Sequence, residues 1–127
     1  MLLTTPSNEM HEFGILAAML AVAQDLQVTY LGPSLPAGEI LSAAEKCAAS
    51  VVVLGIMKTK ATPAVKRDMT WLMSELPVST ELWAGGTGAA EVFGGVARRG
   101  TFILEHLADF ERHLTRWKAV PSREAAR

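Results

Sequence analysis

Two hydrophobic periods alternate along this chain. Short apolar runs at 2–5, 28–31, 51–54, 80–84 and 101–104 read as strands, and between them apolar residues recur at three-and-four spacing. That spacing predicts helices over 12–26, 37–49, 62–76, 89–98 and 105–118. The local punctuation agrees. Pro6-Ser7-Asn8 breaks the first strand, Gly32-Pro33 ends the second, and Thr62-Pro63 supplies an N-cap with proline at the first helical position. Val51-Val52-Val53-Leu54 is apolar at every position, the signature of a strand covered on both faces.

A strict βα alternation implies an α/β fold: a flavodoxin-like (Rossmann-like), doubly wound parallel sheet with helices on both faces, because right-handed crossovers connect such strands. With five strands the expected order is 2-1-3-4-5, which places the topological switch point between strands one and three. Residues 1–118 read as one domain and 119–127 as a C-terminal tail.

Composition adds exclusions. At 127 residues, with 50% hydrophobic and 20% charged, the chain needs no disulfide or structural metal to hold a core. A net charge of -1 and no basic face argue against direct nucleic-acid binding by this segment. No apolar run approaches the ~20 residues that span a bilayer. The first residues lack a basic n-region and a cleavable apolar core, so no secretory signal is expected and the chain reads as cytoplasmic. The first strand begins almost at residue 1, as in a minimal stand-alone domain or a piece of a longer protein. Cys47, the single cysteine, falls on a predicted helix and is expected to be buried and inert, in keeping with a reducing compartment.

The candidate chemistry lies at the strand exits. His11 and Gly14 follow strand one, Gly55-Ile56-Met57 follows strand three, and Gly85-Gly86 follows strand four. The predicted topology turns these loops toward one crevice, where open α/β sheets hold their ligands. Gly14 sits in the first turn of a helix, explained either by close approach to the backbone or by tight helix–strand packing. A lone loop histidine is commonly a solvated residue, and strand-end glycines commonly mark turns. Three such loops at one crevice point instead to a ligand site, with one imidazole for a metal that the ligand carries. His106 and His113 read as solvated helix residues, and Trp71, Trp83 and Trp117 as packing residues. No Cys/His cluster suggests a protein-only metal site. A phosphoacceptor receiver would need an acidic pair after strand one, where Thr4-Thr5-Pro6 stands. The glycine cluster at 85–88 lacks the G-x-G-x-x-G spacing of a dinucleotide site.

Glu9-Met10-His11-Glu12-Phe13-Gly14 resembles the D-x-H-x-x-G motif of cobalamin-binding domains. Gly55-Ile56-Met57 and Gly85-Gly86 resemble that family's S-x-L and G-G segments, and Tyr30-Leu31-Gly32 with Pro36 its second strand and exit. The likeness runs from Leu2 to about Trp117 and looks closest to the C-terminal domains of light-responsive, cobalamin-dependent MerR-type transcriptional regulators. It implies cobalamin (hydroxo-, methyl- or adenosylcobalamin) bound with its own base displaced and His11 as the lower cobalt ligand. Glu9 would bond the imidazole's other N–H, as carboxylates commonly do behind metal-bound histidines. The nucleotide tail would lie beside Gly14, Gly55, Ile56, Met57, Gly85 and Gly86. The resemblance further implies a non-enzymatic sensory or regulatory module, partnered by a regulator or by a second copy. A corrinoid carrier for a separate methyltransferase or mutase, and a domain that has lost the cofactor, are the alternatives. Two positions depart from the motif. Glu9 replaces aspartate, and Gly55 replaces serine, removing a hydroxyl bond worth about 0.5–1.5 kcal/mol, or roughly two- to twelve-fold in affinity.

Overall fold

The uninterrupted apolar run becomes the central strand. Val51–Gly55 (β3) is buried at every residue, with Leu2–Thr4 (β1) on one side and Glu81–Gly85 (β4) on the other. Thr29–Tyr30 (β2) and Thr101–Leu104 (β5) form the edges, so the all-parallel order is β2-β1-β3-β4-β5, as the βα alternation predicts. This computed structural model describes residues 1–10, 13–22, 26–57, 62–94 and 98–120. Helices Phe13–Val22 (α1), Ala37–Lys46 (α2), Pro63–Glu75 (α3), Ala89–Phe93 (α4) and Leu107–Lys118 (α5) occupy the connections.

Successive strand residues point to opposite faces, and the two faces carry separate cores. Leu2, Val52, Leu54 and Leu82 pack with Ile40 of α2, Leu72 of α3 and Phe93 of α4. Leu3, Val53 and Trp83 pack with Ile15 of α1 and with Phe110, Leu114 and Trp117 of α5. Full burial of each such aliphatic side chain contributes about 1.5–3 kcal/mol. Among the described residues no helix is long and apolar enough to cross a membrane.

Several expectations are corrected. Helix α4 ends at Phe93, not 98: Gly94 caps it, its N–H reaching the Ala90 carbonyl at 2.7 Å, and a glycine pair is a poor helix former. Arg98, the expected last residue of that helix, lies outside it. Its guanidinium donates to the carbonyls of Leu76, Pro77 and Thr80 at 3.4, 3.1 and 3.2 Å, tying the α3–β4 turn to the start of β5. Cys47 is exposed, because α2 closes at Lys46 and the chain turns away through Ala48 at φ 48°. Trp71 is exposed, whereas Trp83 and Trp117 are buried. His113 is not a solvated helix residue. It shares the inner face of α5 with Phe110, Leu114 and Trp117, its ring 4.5 Å from that of Trp83 and 4.3 Å from that of Phe102. Residues 121–127 of the expected tail lie outside the described residues.

Candidate functional site

The loops after β1, β2 and β3 are bonded to one another. Thr5 is buried, and its hydroxyl donates to the Glu9 carbonyl at 2.6 Å while accepting from the Ser34 N–H at 2.7 Å. Asn8, held at φ 69°, donates its N–H to the Ser34 hydroxyl at 3.0 Å. This turn carries Glu9 inward until it is 3% exposed, and its carboxylate accepts the Met57 N–H at 2.8 Å. A carboxylate so deeply placed must be hydrogen-bonded to be tolerable, and the bond fixes the β1 exit against the β3 exit. The β3 and β4 exits are joined in turn. Ile56 donates to the Gly85 carbonyl at 2.8 Å, Gly88 donates to the Ile56 carbonyl at 2.9 Å, and the Thr87 hydroxyl donates to the Met57 carbonyl at 3.1 Å.

Gly86 is required by this arrangement. Its φ is +104°, and a Cβ there would lie 2.3 Å from the Ile56 carbonyl oxygen and 2.8 Å from the Met57 sulfur. Gly55 allows a close packing of a different kind: a Cβ there would stand 3.2 Å from the Ile15 Cβ on α1. Gly14 meets neither restriction, since a Cβ there would touch only the Met57 sulfur, at 3.6 Å.

Between α1 and α5, above the carboxyl ends of β3, β4 and β5, lies a cavity of about 270 Å³. Ile15, Ala18, Val53, Leu54, Leu104 and Phe110 form a buried apolar floor. The exposed Thr87, Glu105 and His106 bring polar groups to the mouth. A flat apolar group carried on a polar tether fits such a shape. Among the described residues, no three or more His, Cys, Asp or Glu side chains gather as a metal cage.

Gly14, Gly55, Met57, Gly85 and Gly86, singled out from the sequence, all line this one cavity. Glu9 lies beside it, behind Met57. Ile56 does not face it: its side chain packs into the α2–α3–α4 core, and only its backbone serves the site, bonding Gly85 and Gly88. His11 lies outside the described residues, between the exposed Met10 and the start of α1 at Phe13. Thr5, Thr87, Glu105 and His106 were missed. His106 had a signal in its position, directly after β5, where the topology turns the fifth βα loop toward the same edge. Its N–H is capped by the Asp109 carboxylate at 3.2 Å. Thr5 had no signal, because a threonine ending a strand is unremarkable until its neighbours are placed.

No family model matches the chain, and no curated protein matches it. Solved structures do. The monomethylamine corrinoid protein of Methanosarcina barkeri is similar at TM-score 0.70 and 17% identity over 89% of this chain and 55% of that one. A cobalamin-binding protein from Desulfitobacterium hafniense DCB-2 is similar at TM-score 0.70 and 20% identity, covering 91% of this chain and 57% of that one. The methanol:cobalamin methyltransferase complex MtaBC, also from Methanosarcina barkeri, holds a chain similar at TM-score 0.69 and 19% identity, over 94% of this chain and 46% of that one. The chain thus spans about half the length of the structures it matches, and what it shares with them is the fold.

Proposed function

We propose that this chain is a cobalamin-binding module, with His11 the lower axial cobalt ligand and the cofactor's nucleotide tail in the cavity between α1 and α5. The observation that carries this reading is the convergence of Gly14, Gly55, Met57, Gly85 and Gly86 on one apolar cavity beside the loop that buries Glu9. The residues present fit the group. The buried apolar floor suits an aromatic base, and the polar groups at the mouth suit its ribose and phosphate. The fold shared with corrinoid and cobalamin-binding proteins supports the same reading.

Cobalamin, when bound, supplies the cobalt chemistry; the protein tunes its electronics and access. Glu9 acts as a positioning residue: held by Met57, it fixes the segment leading to His11 and offers a carboxylate to the imidazole's second nitrogen. Among the described residues that line the cavity none is a buried nucleophile or general base, and we read the chain as non-enzymatic. Its role is then sensory or regulatory, in a light- or cobalamin-responsive regulator of the MerR type. A second reading, a corrinoid carrier for a separate methyltransferase, is favoured by the fold's recurrence in a monomethylamine corrinoid protein and in a methyltransferase complex.

Isothermal titration calorimetry with hydroxo-, methyl- and adenosylcobalamin tests the binding, with one-to-one stoichiometry expected for at least one form. Absence of heat and of co-elution with all three contradicts it. Illumination of the adenosylcobalamin complex separates the roles. A light-dependent change in binding or assembly supports the sensor, whereas methyl transfer to or from an added corrinoid methyltransferase supports the carrier.

A further inference from the structure

The cavity between α1 and α5 is graded in polarity from mouth to floor. Its polar side chains among the described residues, Thr87, Glu105 and His106, are all exposed at the mouth. Beneath them the side chains of Ile15, Ala18, Val53, Leu104 and Phe110 are between 2% and 8% exposed and share one core with Trp83 and Trp117. None of these floor side chains carries a hydrogen-bond donor or acceptor. The strand beneath them adds none, because Val53 and Leu54 are paired to β1 on one side and β4 on the other and their backbone groups serve those ladders. Phe110 gives the floor an aromatic ring, braced edge-on by Trp83 with ring centres 5.8 Å apart.

Corrinoids differ in the ring that ends the nucleotide tail: dimethylbenzimidazole in cobalamin, a purine or a phenol in other forms. The ribose and phosphate that tether this ring match the polar mouth, which leaves the part of the ring farthest from the ribose to the floor. In dimethylbenzimidazole and in cresol that part is hydrocarbon ending in methyl groups. In adenine it is a pyrimidine ring with an amine and two ring nitrogens. Against this floor the adenine groups give up water and meet no side-chain partner among the described residues, and a buried polar group left unpaired is costly. The methyl-bearing rings lose no hydrogen bond there and gain apolar contact. We infer that the floor selects corrinoids by this ring, taking benzimidazole and phenolic forms in preference to purine forms. The selection rests on the tail's occupying the cavity, as proposed for this site.

Calorimetric titration of the full chain with cresolylcobamide, adeninylcobamide and tail-less cobinamide tests this. The first two make a matched pair, because neither holds its own cobalt tightly: the phenol ring has no nitrogen to offer, and the imidazole nitrogen of adenine is a poor donor beside its electron-poor second ring. Cresolylcobamide is expected to bind about tenfold or more tighter than adeninylcobamide. Cobinamide is expected to bind more weakly than cresolylcobamide. Val53→Thr sets one hydroxyl in the floor and is expected to narrow the cresolyl-to-adeninyl ratio by about threefold or more, with an unchanged far-ultraviolet circular dichroism spectrum. Equal or reversed affinities of the wild-type chain for the matched pair overturn the selection while leaving corrinoid binding standing. So does cobinamide binding as tightly as cresolylcobamide, or an unchanged ratio in the folded variant. Binding of none of these, nor of cobalamin, overturns the proposed function and the selection together. The wild-type comparison decides the matter whether or not the variant folds.

Discussion

Gly55 and Ile15 behave as one packing unit. From the motif alone, glycine at 55 is a missing hydroxyl. In the structure the space a side chain would take there belongs to Ile15, which is 2% exposed and whose Cβ stands 3.2 Å from the position of an added Cβ. Serine at 55 forces a β-branched side chain near the helix backbone to move, and overpacking of that kind costs about 1–3 kcal/mol. Gly55→Ser is therefore expected to lower stability by about that amount in urea denaturation. Combined with Ile15→Gly, which removes the crowding Cβ, it should lose less than the sum of the two single changes, by about 0.5–3 kcal/mol of coupling. Strict additivity would show that the two positions do not share the space. Glu9 is the second residue whose context decides its role. Glu9→Ala strands the Met57 N–H and should cost about 1–3 kcal/mol. Glu9→Gln keeps an acceptor oxygen and should cost less, with hydrogen exchange at the Met57 amide speeding up only in the alanine variant.

At the scale of elements, α1 carries a glycine that its packing does not require. Alanine at 14 would make only an ordinary contact with the Met57 sulfur, at 3.6 Å, and would favour the helix by up to ~1 kcal/mol. Gly14→Ala is thus expected to raise the melting temperature while weakening cobalamin binding in calorimetry, because the methyl group projects toward the cavity that Gly14 lines. A loss of stability would assign Gly14 to packing instead. The elements themselves were legible where one period ran unbroken, as at Val51–Gly55, or where caps were explicit, as at Thr62, whose hydroxyl accepts the Val65 N–H at 3.2 Å. They were misread where a local breaker overrode the pattern. Gly94 stops α4 four residues before the expected end at Arg98, and Cys47 falls just past the end of α2. Five of the site positions were legible because topology alone carries strand-exit glycines and the following loop to one edge. Ile56 was misplaced because side chains leaving a strand alternate faces, and its turn is toward the other core. Thr5 and His113 depend on contacts between distant segments, although the helical spacing from Phe110 to Trp117 would have placed His113 inward.

For the whole molecule, the candidate site gathers at the carboxyl end of the sheet. At the carboxyl end the described parts of the loops are bonded to each other through Thr5, Glu9, Met57 and Thr87, so hydrogen bonds frame the cavity before any ligand arrives. Such a frame lowers the ordering cost of binding. It also gives the proposal a pH signature: only neutral imidazole can ligate cobalt, so ligation should be complete at higher pH and lost on acidification as the proton competes for the same nitrogen. The central claim is that His11 supplies that nitrogen. The most direct measurement is the visible absorption spectrum of the chain loaded with methylcobalamin, compared with that of His11→Ala. The wild-type chain is expected to show the spectrum of a base-displaced, histidine-ligated cobalamin, and His11→Ala to lose that signature. Identical spectra from the two proteins, or a wild-type spectrum matching free cobalamin, would contradict the assignment.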